Sequence, residues 1–270
     1  MNDSTDYKEI CLGMRNCAKE AGKYIQQQAD QIKQEQIEEK SAHNYVTYVD
    51  KKVEEMLVEG LRKILPDAGF ITEEDTDSSV GERFQWIIDP LDGTTNFIHQ
   101  VPVYCVSIAL QEKNEIVAGV IYEVNLDECF YAWKNSPAYL NGKEIHISKN
   151  LNFDTALLAT GFPYYDYGRM EEYLDVFREM MKSTAGLRRL GSAAADMAYV
   201  AAGRFEGFYE YGLHPWDVAA GVIIVKQAGG IVTDFKGGND AIFGKELICG
   251  NKGIHNEMKK IIGKYFKPVD

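Results

Sequence analysis

The segment Trp86-Ile87-Ile88-Asp89-Pro90-Leu91-Asp92-Gly93-Thr94-Thr95-Asn96-Phe97 carries more chemistry than a turn requires. An apolar run stops at two aspartates, a proline and a glycine. Pro90 fixes φ and Gly93 frees it, so the two carboxylates can converge just past a strand instead of alternating across a sheet. Converging carboxylates repel: one takes a proton, or a hard cation sits between them. Oxygen donors of this kind suit Mg²⁺, Mn²⁺ or Ca²⁺, and the spacing is not that of an EF-hand. Gly93, Thr94 and Thr95 add backbone N–H groups that open a short helix, a cradle for phosphate. The alternative is an Asx-turn, which leaves the second aspartate and the hydroxyl pair without a task.

Other acids stand at element ends. Glu73-Glu74-Asp75 follows the strand Gly69-Phe70-Ile71-Thr72, where a solvated acidic loop is the competing reading. Asp217, in His214-Pro215-Trp216-Asp217, and Asp50, in Val46-Thr47-Tyr48-Val49-Asp50, could each do no more than favour a helix N-terminus. No Ser or Cys nucleophile is evident: G-x-S-x-G is absent, and the five histidines lack metal spacing. His214 reads as a packed or solvent-facing loop residue. Lys182, Arg188 and Arg189 line an anion path or form a solvated face.

The elements that must position these groups follow from periodicity. Helices are predicted over 7–29, with Ile10, Cys11, Met14, Ala18 and Ile25 on one stripe, and over about 50–65, ended by Pro66-Asp67-Ala68-Gly69. Strands are predicted over 69–72, 84–88, 106–111, 116–123, 129–133, 157–160, 205–211 and 231–235. Helices over 170–184, 216–228 and 254–265 complete the second half, with the small-residue helix SAAADMAYVAAG, read as close helix packing, after Arg188–Gly191. Neither repeat nor linker interrupts the chain, which reads as a single domain over 1–270 in two packed halves, roughly 1–145 and 146–270. Hairpin-like meanders mixed with helix-separated strands fit a multilayer α/β sandwich.

The totals narrow the function. With 270 residues and 45% apolar content the chain can bury a large core. A net charge of −12 argues against nucleic acid or anionic membrane as a primary partner. It also means that a phosphate ester would need a local cation. Five scattered cysteines predict buried, reduced thiols. The polar, acidic start MNDSTDYKEI is unlike a signal peptide, and a cytoplasmic location is expected.

Together, WIIDPLDGTTNF, the upstream FITEED and the downstream HPWDVAAGVIIVKQAGGIVTDF resemble the inositol monophosphatase family of lithium-sensitive, Mg²⁺-dependent phosphatases. The resemblance runs from about Lys40 to the C-terminal helix. It implies a five-layer αβαβα sandwich, commonly a homodimer, that hydrolyses a small polyol phosphate, foremost inositol monophosphate. The metal ligands would be Glu73, Asp89, the Leu91 carbonyl, Asp92 and Asp217, holding two or three Mg²⁺, with Mn²⁺ an alternative and Ca²⁺ or Li⁺ inhibitory. Glu73 and Thr94 would position the attacking water, Asp50 would orient Thr94, and Lys40 would support a further metal or the phosphate. Substrate would meet Asp92, Gly93, Thr94, Thr95, Asp217, Gly191-Ser192-Ala193 and Glu210. Alternatives are a phosphatase of this fold for fructose 1,6-bisphosphate, histidinol phosphate or NADP, a regulatory binding protein that kept the fold, or a Ca²⁺-binding module without turnover. The chain has Thr72-Glu73 where the family usually has Gly-Glu, which predicts a different loop backbone there.

Overall fold

The apolar stripe at Ile10, Cys11, Met14, Ala18, Ala21 and Ile25 is fully inward, and Asp6 caps its helix by accepting from the Lys8 and Glu9 amides at 3.0 and 3.1 Å. The computed structural model describes residues 5–29, 31, 37–41, 44–163 and 167–266; between 37 and 45 it describes backbone and, of the side chains, Glu38 alone. In chain order the first half comprises α1 (Tyr7–Gln28), β1 (Ile37–Ser41), β2 (Asn44–Thr47), α2 (Tyr48–Ile64), β3 (Gly69–Thr72), β4 (Phe84–Asp92), α3 (Thr94–Ile98), β5 (Cys105–Glu112), β6 (Glu115–Glu123), β7 (Glu128–Trp133), β8 (Ala138–Leu140) and β9 (Lys143–Ile145). The second comprises β10 (Leu157–Thr160), α4 (Met170–Ser183), β11 (Gly186–Arg188), α5 (Ala193–Ala201), β12 (Gly207–Tyr211), α6 (Pro215–Gln227), β13 (Ile231–Thr233), β14 (Glu246–Gly250) and α7 (Lys252–Tyr265).

Seven strands, β3 to β9 in sequence order, form one sheet, parallel only at β3–β4. Five form a second, in the order β11-β10-β12-β14-β13, and β1 pairs antiparallel with β2 apart from both. Helices α1 and α2 cover the outer face of the larger sheet, and α4 and α7 cover that of the smaller. Between the sheets lie α5 and α6. Val218 to Val225 of α6 is buried throughout, as is every residue of α5, because these helices face protein on all sides. Their close approach needs small residues: a Cβ at Gly221 would lie 2.6 Å from the Met197 sulfur. The αβαβα sandwich expected from the sequence is the fold observed.

Four differences matter. Strand β4 does not end at Ile88 but runs through Pro90 to Asp92, because a bulge accommodates the residue that lacks an N–H. Helix α2 starts at Tyr48, and its cap is Thr47, not Asp50. The short strands β1, β2, β8, β9 and β11 fall outside the sequence reading. So does β14, which is enclosed on both faces and therefore lacks an alternating pattern. No helix among the described residues is long and apolar enough to cross a membrane.

Candidate active site

The double aspartate is explained by register. Asp89 pairs with Ser107 and Asp92 with Cys105, so Pro90 and Leu91 together stand opposite the single residue Val106. This extra residue is a β-bulge, which re-aims the side chains around it. The Leu91 amide donates to Asp89 Oδ1 at 2.9 Å, closing the turn. Gly93, at φ 103°, then caps α3, and a Cβ there would come within 3.0 Å of the Val103 carbonyl. The first-turn amides of this short helix have no intrahelical partner.

Thr94 is gripped from α2. Its Oγ1 stands 2.8 Å from Asp50 Oδ1 and 3.0 Å from the Leu91 carbonyl, and its single proton goes to one of these acceptors. Asp50 Oδ2 accepts from the Thr47 amide at 2.8 Å and the Thr47 hydroxyl at 2.6 Å, completing a capping box from the third helical position. Burial pushes the Asp50 carboxyl upward, and the Thr47 and Thr94 donors oppose it.

The second half closes over this turn. Asp92 Oδ2 accepts from Ser192 Oγ and the Ala194 amide, each at 2.7 Å. Asn96 of α3 donates to the Val103 carbonyl at 2.7 Å and the Leu190 carbonyl at 2.8 Å, tying the bulge to the Gly191 loop. Asp217 occupies the third position of α6, where its Oδ2 accepts from the His214 amide at 2.6 Å. The His214 and Trp216 rings stack at 4.8 Å, so His214 is a packed wall residue.

A cavity of about 280 Å³ lies where these elements meet. Glu73, Asp92, Gly191, Ser192, Ala193, Glu210 and Asp217 all line it, so the structure assembles seven of the residues singled out from sequence. Asp89, Leu91, Gly93, Thr94 and Thr95 form the adjoining bulge and first turn of α3 without lining the cavity themselves, and Asp50 backs them. The side chain of Lys40 lies outside the described residues. Thr72, before Glu73, is buried, with its hydroxyl 3.3 Å from the Asp77 carbonyl.

Electrostatics shows how close the acids are. Burial raises the Asp89 carboxyl well above the usual range, with further upward pushes from Glu73, Asp92 and Asp217 and from a hydrogen bond with Glu73. Asp217 is raised by burial and by Asp92, against the His214 amide. Asp92 is pushed up to about 6 by burial, against the Ser192, Ala194 and Arg189 contributions. Among the described residues no three His, Cys, Asp or Glu side chains form a ready-made metal cage. The donor chemistry nonetheless fits a hard cation. One oxygen of Asp89, Asp92 and Asp217 is tied to a backbone amide, which fixes each carboxylate, and the cluster's mutual repulsion is what a cation relieves.

Gly161 and Asp196 line the cavity outside the sequence reading, and Arg189, read there as part of an anion path or a solvated face, lines it too. The Arg189 charge opposes the upward shift that burial gives the Asp92, Asp196 and Glu210 carboxyls, whereas Arg188 and Lys182 are exposed. Asp196 is 1% exposed, with Oδ1 lacking a hydrogen-bond partner among the described residues; its place one turn after Ser192 on a single helix face was the available signal. A Cβ at Gly161 would stand 2.1 Å from Glu210 Oε2. The Glu210 carboxyl is pushed up to about 8 by burial, with Asp92 adding to the rise and Arg189 opposing it.

A layered sandwich enclosing an acidic pocket beside a Gly-Thr-Thr turn defines a recognisable class. The chain belongs to the inositol monophosphatase family, whose sequence profile matches residues 6–267. It is 38% identical over 253 residues to an inositol-1-monophosphatase of Mesorhizobium japonicum, covering 93% of this chain and 95% of that one. It is 39% identical over 256 residues to the Nus factor SuhB of Pseudomonas aeruginosa, covering 93% and 94%. The crystal structure of the extragenic suppressor protein suhB from Bartonella henselae superposes with a TM-score of 0.90 at 39% identity, covering 94% of this chain and 98% of that chain.

Proposed function

We propose that this protein is a divalent-cation-dependent phosphomonoesterase for a small polyol phosphate, inositol monophosphate foremost, with Mg²⁺ held by Glu73, Asp89, the Leu91 carbonyl, Asp92 and Asp217. The observation that carries the reading is the gathering of Glu73, Asp92 and Asp217 with Glu210 and Arg189 around one cavity. A bound Mg²⁺ would supply charge neutralisation at the phosphoryl oxygens and acidification of water.

The chain's own residues do the positioning. The first-turn amides of α3 receive phosphate oxygens. Thr94, held by Asp50, offers a lone pair to orient the attacking water, and Glu73 accepts its proton. Asp92 and Glu210 accept substrate hydroxyls, and Ser192 and Ala194 hold Asp92 in place for that task. A homodimer in a reducing cytoplasm belongs to the same reading, and all five cysteines are free.

The test is phosphate release from inositol 1-phosphate, fructose 1,6-bisphosphate, histidinol phosphate and NADP, with Mg²⁺ and then with EDTA. Turnover that requires Mg²⁺ and peaks on one polyol phosphate is the expected result. The similarity to a protein named Nus factor SuhB supports a second reading, a partner-binding role. Folded protein that binds Mg²⁺ yet releases no phosphate would favour it.

A further inference from the structure

Helix α2 holds the site at two points. Asp50 reaches Thr94, and one turn further along the buried face Glu54, 0% exposed, reaches the loop after β3. Glu54 Oε2 accepts from the Glu74 amide at 2.8 Å and Oε1 from the Thr76 amide at 2.9 Å. Asp75, between those amides, has φ 57°, a left-handed conformation that costs a non-glycine residue and persists only where its surroundings impose it. The two carboxylate oxygens of Glu54 therefore clamp a strained turn from inside the protein with charge-assisted bonds. Arg62, two turns further along α2, pairs with Asp77 and extends the grip.

The amide of Glu74 belongs to the same peptide plane as the carbonyl of Glu73. With Thr72 held in β3 on one side and that N–H held on the other, the backbone angles of Glu73 are confined, and with them the direction in which its side chain leaves the backbone. We infer that Glu54 is a positioning residue for Glu73, and that α2, through Asp50 and Glu54 at i and i+4, sets the spacing between Thr94 and Glu73. This rests on the proposed phosphatase reading, in which those two residues orient the attacking water.

The test is Glu54→Gln, which keeps the side chain's shape but turns an –NH₂ toward one amide donor. Mn²⁺ affinity is measured without substrate by electron paramagnetic resonance, and kcat and KM separately. Expected are an Mn²⁺ affinity and a kcat each reduced by about 10- to 100-fold, as for residues that orient metal ligands, with KM nearly unchanged. Glu54→Asp, retaining both acceptor oxygens, should recover part of both losses, and takes the place of Glu54→Gln if that variant does not fold. A folded Glu54→Gln protein with lower Tm but wild-type Mn²⁺ affinity and kcat would overturn the inference, leaving Glu54 a structural residue only. Wild-type protein that neither binds Mn²⁺ nor hydrolyses phosphate would instead overturn the phosphatase reading, and this inference with it.

Discussion

Asp92 Oδ2 and Ser192 Oγ stand 2.7 Å apart across a hundred residues of sequence, joining the bulged end of β4 to the N-terminus of α5. The Ala194 amide reaches the same oxygen at 2.7 Å, so a half-buried carboxylate is satisfied by groups from the other half. Bonds to a charged acceptor contribute about 1.5–3 kcal/mol each. Ser192→Ala should therefore lower stability by about 1–2 kcal/mol and kcat/KM about tenfold, as read by urea denaturation and initial rates. Unchanged kinetics would show that the amide alone positions Asp92.

In the proposed mechanism Thr94 acts through its hydroxyl. Thr94→Val keeps the shape and removes both the bond to Asp50 and the lone pair, and should reduce kcat about 100-fold, the scale of a lost positioning group. Thr94→Ser should stay within about threefold of wild type. A fully active valine variant would remove Thr94 from the mechanism.

Asp89 tests the cation. Without metal its carboxyl is buried among Glu73, Asp92 and Asp217, so Asp89→Asn relieves repulsion and should raise Tm in EDTA. The same variant should lose Mg²⁺-dependent turnover by at least about 100-fold, as for a lost electrostatic donor. Mg²⁺ at 100 times its Kd should stabilise wild-type protein by about 2.7 kcal/mol, a rise of several degrees that the variant lacks. An equal Mg²⁺-induced shift in both proteins would place the metal elsewhere.

Gly161 leaves room for the Glu210 carboxylate, and a methyl at 2.1 Å from Oε2 must displace it. Gly161→Ala and Glu210→Gln should then share one phenotype: KM for polyol phosphates raised about tenfold, with weaker discrimination among them. Comparing kcat/KM across the four substrates tests this, and retained discrimination in both variants would remove Glu210 as the hydroxyl reader.

Asp196 gives a pH signature. Burial, with Glu210 and Asp92, raises its carboxyl well above the usual range against the pull of Arg189. Its neutral form is the one the fold favours, so its contribution to stability is complete below the unfolded value of about 4 and is lost as pH rises toward the folded value. In EDTA, Asp196→Asn should gain Tm relative to wild type between pH 4 and pH 8. A pH-independent difference would show that Asp196 titrates normally.

The sequence by itself determined the local chemistry. WIIDPLDGTTNF announces two acids at a sharp turn because proline fixes a backbone angle and glycine opens the left-handed one whatever surrounds them. The stripes of α1 and α2 are legible because helical spacing alone places their apolar residues on one face. Tertiary structure decided what each acid does. Asp50 looks like a cap, and it does serve the helix, but a carboxylate has two oxygens, and only the packing of α2 beside β4 sends the second to Thr94. Strand β14 left no alternation to read because protein covers both of its faces. The bulge that turns Asp89 and Asp92 together is a matter of register against β5, and Asp196 became a pocket residue only when α5 was enclosed between two sheets. Backbone sterics act over a few residues and can be read along the chain. Register, burial and the field of neighbouring charges depend on which surfaces meet, some from adjacent strands such as β4 and β5 and others, as at Asp92 and Ser192, from opposite halves of the sequence.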